Sequence, residues 1–300
     1  MNRLGIEKRK ALVLDIDGTL TNSKKEITPK TKEAIRRIMD MGHAVILASG
    51  RPTPGMLRYE NELELAKYGG YLLSFNGARV VDCVTREVIF QKTLPPEIPA
   101  QVYEFAREKE AGIISYYLSG NINEVRTRGE YLSSRNIAAD GDYVISGFEP
   151  DEYILLEAHI NNLDVITVYD FPEFINYPVN KCLITAPGML AAGYEKELQA
   201  IYGDELSIYR SEEFFLEVMP KNVSKAETLD QMLDKIGVKR ENTVCCGDGF
   251  NDISMIKYAG VGVAMGNAHE EVRREADFVT GTNDEDGLVT VIEKFILNSP

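Results

Sequence analysis

The chain contains no tryptophan, three histidines and four cysteines in 300 residues. So few histidines, and no Cys-x-x-Cys spacing, argue against a zinc site or a disulfide framework. The cysteines are Cys83, Cys182, Cys245 and Cys246, and the last two sit in an apolar run, where thiols are usually buried and inert. No apolar stretch approaches the roughly 18–20 residues that span a bilayer. The opening ten residues are charged and read as the entry to a first strand, not as a signal peptide. Basic residues are also short: 33 Lys and Arg stand against 47 Asp and Glu, a formal net charge of −14. Such a surface repels nucleic acid and anionic lipid. The expected partner is a small molecule, with no nucleic acid and no membrane, and the expected location is cytoplasmic. The composition does not set an oligomeric state. Three catalytic signatures are missing as well: G-x-x-x-x-G-K-[ST], G-x-S-x-G and H-E-x-x-H. The run Gly247-Asp248-Gly249 lacks the third glycine of a dinucleotide fingerprint.

What remains is an ordinary globular composition, 44% hydrophobic, long enough for about two domains. Residues 11–14 form a short apolar run ending in Asp15-Ile16-Asp17-Gly18-Thr19, which reads as a buried strand and then a loop. A helix over 29–41 follows, with Thr28 as N-cap, Pro29 at its first position and Gly42 as its stop. Residues 44–48 are a second buried strand, ending at Ser49-Gly50-Arg51. Strand, helix, strand at this spacing is a βαβ unit with parallel pairing. The last quarter repeats the rhythm. Ser224-x-x-Glu227 opens a helix that ends near Gly237, and a strand over 243–246 runs into Gly247-Asp248-Gly249-Phe250-Asn251-Asp252. A short helix, a strand over 261–265, a helix over 269–276 and a strand at 278–279 complete it.

The middle has another rhythm. Strands are expected over 87–93, 113–118, 122–126, 153–158, 181–185 and 206–210, and helices over 97–109, 129–136 and 189–201. The organisation that follows is α/β, with a parallel-sheet core from residues 1–84 and 210–300 and an inserted α+β domain at 85–209. The hinges are expected near 82–86 and 209–214.

Chemistry-bearing residues gather at strand ends. Asp15 and Asp17 follow an apolar strand, where carboxylates are costly to bury unless a cation or donors compensate. In a parallel sheet this is where ligands bind. An aspartate placed there can attack phosphorus, and a second one can serve the leaving oxygen as an acid and then a water molecule as a base. A solvated turn is the plainer reading of the same five residues. Asp248 and Asp252 form a second acidic pair after a strand and suit a Mg²⁺ ion. Asn251-Asp252 would equally cap a helix. Ser49 and Gly50 offer a hydroxyl and backbone N–H groups to phosphate oxygens. Lys225 stands in the first turn of a helix, where a cation is disfavoured unless it faces an anion.

The order D-x-D-G-T, S-G, K, G-D-x-x-N-D resembles the haloacid dehalogenase superfamily, over both ends of the chain. The resemblance implies a Rossmann-like core with the Asp15 strand central and the 85–209 insert as its cap domain, and it implies Asp15 as nucleophile and Asp17 as general acid/base. It implies phosphate or substrate contacts from Ser49, Gly50, Lys225 and Asn251. It implies Mg²⁺ held by Asp15, the Asp17 carbonyl and Asp248, with Asp252 assisting. Arg51 is either a substrate contact or a structural ion-pair partner. The second aspartate of D-x-D, the long insert entered after Ser74-Phe-Asn-Gly77, Ala48-Ser-Gly-Arg51 and Val223-Ser-Lys-Ala226 look like the Cof-type sugar-phosphatase branch. Many members carry glycine where this chain has Ala226. The expected function is hydrolysis of a small phosphorylated metabolite, a sugar phosphate, through an aspartyl phosphate. A sugar phosphomutase of the same superfamily and a non-catalytic phosphate sensor are the alternatives. The compact 247–252 run lacks the extra residues of mutases with this cap type, and all six expected catalytic side chains argue against a sensor.

Overall fold

The computed structural model describes residues 9–119, 137–138 and 140–298. The strand expected over 122–126 and the helix expected over 129–136 lie outside the described residues. The chain divides into two compact units, one of residues Met1–Gln91 and Val223–Pro300, the other of Lys92–Asn222.

The first unit is built on β1 (Ala11–Leu14), β2 (Ala44–Ala48), β3 (Tyr71–Ser74), β4 (Arg79–Asp82) and β5 (Val88–Gln91), joined after the insert by β12 (Thr243–Gly247), β13 (Val261–Ala264) and β14 (Phe278–Val279). Their order is β14-β13-β12-β1-β2-β3-β4-β5, parallel from β14 to β3 and antiparallel beyond. The Asp15 strand is therefore central, flanked by β2 and β12. Alternation along β1 feeds both faces. Leu12 and Leu14 pack with Ile35 and Ile38 of helix α1 (Pro29–Asp40), while Ala11 and Val13 pack with Leu229 and Met232 of helix α6 (Lys225–Met232). Each such aliphatic side chain contributes about 1.5–3 kcal/mol by leaving water. The caps form as their residue types dictate: the Thr28 hydroxyl accepts from Thr31 N–H, and the Ser224 hydroxyl from Glu227 N–H.

The second unit holds β6 (Gly112–Tyr117), β7 (Tyr143–Ser146), β8 (Asp164–Thr167), β9 (Cys182–Thr185), β10 (Leu206–Glu212) and β11 (Phe215–Pro220), in the order β10-β11-β9-β6-β7-β8. Its pairs are antiparallel except β7 with β8. Helices α3 (Ile98–Glu108) and α5 (Gly188–Tyr202) share one apolar cluster with this sheet.

The structure corrects three expectations. The boundary at 84/85 moves to 91/92, because β5 pairs with β4 inside the core sheet. The boundary at 209/210 moves to 222/223, because β10 continues to Glu212 and forms a hairpin with β11, which also pairs with β9. The expected hinges at 82–86 and 209–214 therefore fall within sheet hairpins. Third, the strand expected over 153–158 is helix α4 (Glu152–Asn161), capped by Asp151, whose carboxylate accepts from Ile154 N–H at 2.8 Å. Its buried positions are Ile154, Glu157, Ala158 and Asn161, a helical spacing, but two of the four are polar. Leu155, Leu156 and Ile160 are exposed, so the apolar pattern misrepresented the buried face. Among the described residues no helix is long and apolar enough to cross a membrane.

Candidate active site

β1 and β12 run parallel, and their chain ends deliver Asp15 and Asp248 side by side; Asp15 N–H bonds to the Cys246 carbonyl at 3.0 Å. Asp15 is 6% exposed. Lys225, fully buried at the start of α6, donates to Asp15 Oδ1 at 2.8 Å and to Asp252 Oδ1 at 2.6 Å. The cation that a helix start disfavours thus faces two carboxylates. Asp252 Oδ2 accepts from the N–H groups of Asp248 and Gly249 at 3.0 and 2.9 Å, so Asp252 binds Lys225 and folds its own loop at once.

Asp248 reaches the site because residue 18 is glycine. Gly18 has φ +85°, and a Cβ there would lie 2.3 Å from Asp248 Oδ2. The Thr19 hydroxyl donates to Asp248 Oδ1 at 3.0 Å, and Asn267 Nδ2 donates to the Gly18 carbonyl at 2.8 Å and to Asp248 Oδ2 at 3.4 Å.

Asp17 is held apart from this cluster. Arg51 donates through Nε to Oδ2 at 2.7 Å and through a terminal nitrogen to Oδ1 at 3.0 Å, and Lys25 donates to Oδ1 at 2.9 Å. Of the two roles open to Arg51, the structure places it in an ion pair with Asp17. Ser49 is buried, and its Oγ accepts from Arg51 N–H at 3.2 Å. Gly50 faces the amide of Asn76, and Asn251 Nδ2 donates to Asn76 Oδ1 at 3.0 Å. The nine residues singled out in the sequence all lie in the first unit, in three contact groups: Asp15, Lys225, Asp248 and Asp252; Asp17, Arg51 and Ser49; and Gly50 with Asn251 through Asn76.

The electrostatics divide the site in two. Burial, then the neighbouring Asp252, raises the Asp15 carboxyl well above its ordinary range, against the pull of Lys225. Burial and Asp252 likewise push Asp248 up to about 6. Burial would raise Asp17 too, but hydrogen bonds and charge from Arg51 and Lys25 outweigh it and hold that carboxyl at about 2. Burial opposes the charge of Lys225, but Asp15 and Asp252 raise its pKa nonetheless.

Asp15, Asp248 and Asp252 each bring an oxygen within 4.8 Å of the others. Three carboxylates share one ammonium there. This deficit of positive charge, with an all-oxygen donor set, fits a hard divalent cation.

Lys25, Thr19, Asn76 and Asn267 were not singled out by the sequence. Asn267 stands three residues beyond the apolar strand β13, where Asp15 and Asp248 directly follow theirs, so its signal was weaker. Lys25 stands in an exposed loop and had none.

A family model for haloacid dehalogenase-like hydrolases matches residues 12–292. A haloacid dehalogenase-like hydrolase from Bacteroides thetaiotaomicron superposes with a TM-score of 0.83 at 39% identity, over 96% of this chain and 99% of that one. A sugar phosphatase of haloalkanoate dehalogenase subclass IIB superposes with a TM-score of 0.74 at 27% identity, over 95% and 98%. A putative phosphatase of Bacillus subtilis is 28% identical over 96% of this chain and 98% of its own. The fold, the strand-end carboxylates and these matches agree: the chain belongs to the haloacid dehalogenase-like hydrolase family.

Proposed function

We propose that this hydrolase is a Mg²⁺-dependent phosphatase acting on a small phosphorylated metabolite, a sugar phosphate, through an aspartyl phosphate. The observation that carries the reading is Asp15 at the end of the central strand, buried, paired to Lys225 and clustered with Asp248 and Asp252. The likeness to a subclass IIB sugar phosphatase supports the substrate class. The Asp15 carboxylate, the Asp17 carbonyl and the Asp248 carboxylate would hold the ion, with Asp252 fixing the loop that carries Asp248. Bound there, Mg²⁺ supplies the charge that lets an anionic nucleophile approach an anionic phosphoryl group.

Asp15 attacks phosphorus and becomes the phosphoryl carrier. Ser49, Gly50, Lys225 and Asn251 hold phosphoryl oxygens in line. Asp17 gives a proton to the departing alcohol and then takes one from the water that cleaves the aspartyl phosphate. Held by Arg51 and Lys25, Asp17 is a carboxylate and cannot donate. The entering phosphoryl group is an anion able to draw Arg51 and Lys25 away, and Asp17, so released, takes up a proton from solvent before it gives one to the leaving oxygen. Choice among leaving groups is assigned to the unit Lys92–Asn222.

The test is phosphate release from p-nitrophenyl phosphate and a panel of sugar phosphates. Activity should need Mg²⁺, vanish in EDTA and return with added Mg²⁺. Full turnover in EDTA would sink the metal assignment, and no release from any monoester would sink the phosphatase.

A further inference from the structure

After β3 the backbone does something expensive. Phe75, Asn76 and Gly77 have φ of +51°, +53° and +106° in succession. Gly77 adopts this freely and is needed there, since a Cβ would lie 2.6 Å from the Ser224 carbonyl oxygen and 2.7 Å from Thr228 Oγ1. For a bulky residue such as Phe75 the left-handed region is strained, and such strain persists only where the surroundings hold it.

The groups that hold this turn belong to two loops and one helix of the site. Phe75 N–H donates to the Arg51 carbonyl and Asn76 N–H to the Ser49 carbonyl, both at 2.9 Å. The Thr228 hydroxyl, one turn along α6 from Lys225, donates to the Gly77 carbonyl at 2.8 Å. Asn251, from the loop between Asp248 and Asp252, donates to Asn76 Oδ1. A Cβ at Gly50 would be 3.2 Å from both amide atoms of Asn76, so that side chain lies against the Gly50 backbone. Glycine would make the same turn with less strain. What asparagine adds is the buried amide, touching Asn251 and Gly50.

We infer that Asn76 is a positioning residue of the phosphoryl cradle. Its amide fixes the side chain of Asn251 and the backbone at Gly50, and its turn sets the spacing between the Ser49 loop, the Lys225 helix and the Asp248 loop. The inference rests on the phosphatase reading above and extends it to a residue that does not itself touch the reacting atoms.

Asn76→Gly keeps the left-handed turn and removes only the amide, so the variant should fold with an unchanged or higher Tm. Its kcat on p-nitrophenyl phosphate should fall about 10–100-fold, the range for a lost hydrogen bond in a charged site. Affinity for inorganic phosphate with Mg²⁺ present, measured by calorimetry, should fall about tenfold on the same ground. Because Asn76 acts through Asn251, adding Asn251→Ala should cost little more than either change alone. An Asn76→Gly protein with wild-type kcat and phosphate affinity would overturn the inference. So would an activity loss that merely follows a fall in Tm, or one that adds in full to that of Asn251→Ala. Failure of the phosphatase reading would show separately, as wild-type protein that releases no phosphate; phosphate affinity reports on Asn76 in either case.

Discussion

Each unit buries a lysine among acidic groups, and the two neighbourhoods differ in where in the fold they lie. In the second unit Lys181 Nζ lies 3.1 and 3.0 Å from the two oxygens of Glu217, Ser211 donates to Glu217 at 3.0 Å, and Tyr116 donates to Glu157 at 2.5 Å. These side chains lie between the sheet and α4, and all but Ser211 are buried. In the first unit Lys225 meets Asp15 and Asp252 with Asp248 beside them, at strand ends where loops converge. The lesson is that a buried lysine does not mark a site. A carboxylate excess at the ends of parallel strands does, because loops converge there and a cation can enter from outside; the Lys181 cluster also sets two carboxylates against one ammonium, but they are buried within their unit, where Ser211 and Tyr116 donate to them.

The contrast is open to direct attack. The largest expected effect is from Asp15→Asn, which should abolish turnover on p-nitrophenyl phosphate with the fold intact, since an amide is a very poor nucleophile. A variant keeping a tenth of wild-type activity would remove Asp15 from the nucleophile's role. Asp17→Asn should cost roughly 10²–10⁴-fold, and less for a good leaving group than for an alkyl phosphate. Equal losses on both would count against the acid. Lys181→Met should do the reverse of Asp15→Asn, costing about 3–5 kcal/mol of stability by stranding Glu217. Urea unfolding reads that cost, and a mild effect would show that the Lys181 cluster is not a brace.

Asp248 tests the carboxylate excess through pH. Its carboxyl is raised to about 6 in the fold, so its stabilising contribution is present below the ordinary carboxylate range and is lost as pH rises through about 6. Metal-free Asp248→Asn should therefore melt about 2–4 °C above wild type at pH 7.5, with the gap closing toward pH 5. A constant gap would mean that Asp248 is not titrating there. The smallest effect belongs to joint replacement of Lys181 and Glu217 by Met and Leu, which should change stability by no more than about 1–2 kcal/mol. A loss as large as that of Lys181→Met alone would show that the pair is worth more than its desolvation.

The same contrast explains what was legible in the sequence. Strand-end acids after apolar runs announced Asp15, Asp17, Asp248 and Asp252, because sheet geometry ties position in a run to position in space. Lys225 was readable from a conflict with its helix start. Asn76 stood in view within Ser74–Gly77 but only as the point after which the insert is entered, because a left-handed φ and an amide contact across the chain leave no periodic trace. Helix α4 was missed for the related reason that Glu157 and Asn161 occupy positions where the pattern wanted apolar residues. β11 was missed because its hairpin with β10 turns on residues that looked like a linker.

The sheet order of the first unit also bears on how the protein is made. β1 leaves the ribosome before the whole insert, yet its neighbour β12 is encoded beyond it. The loop after β1 waits longer still, since Asn283 bonds to the Thr21 carbonyl across 262 residues. The second unit is one continuous stretch and can collapse as it emerges. β1 must meanwhile keep one edge open, its unpaired backbone exposed to association with other chains. Newly made protein is thus most vulnerable to aggregation while β1 waits for β12, and truncations before residue 243 should leave the insert ordered and β1 as an open edge of the core sheet.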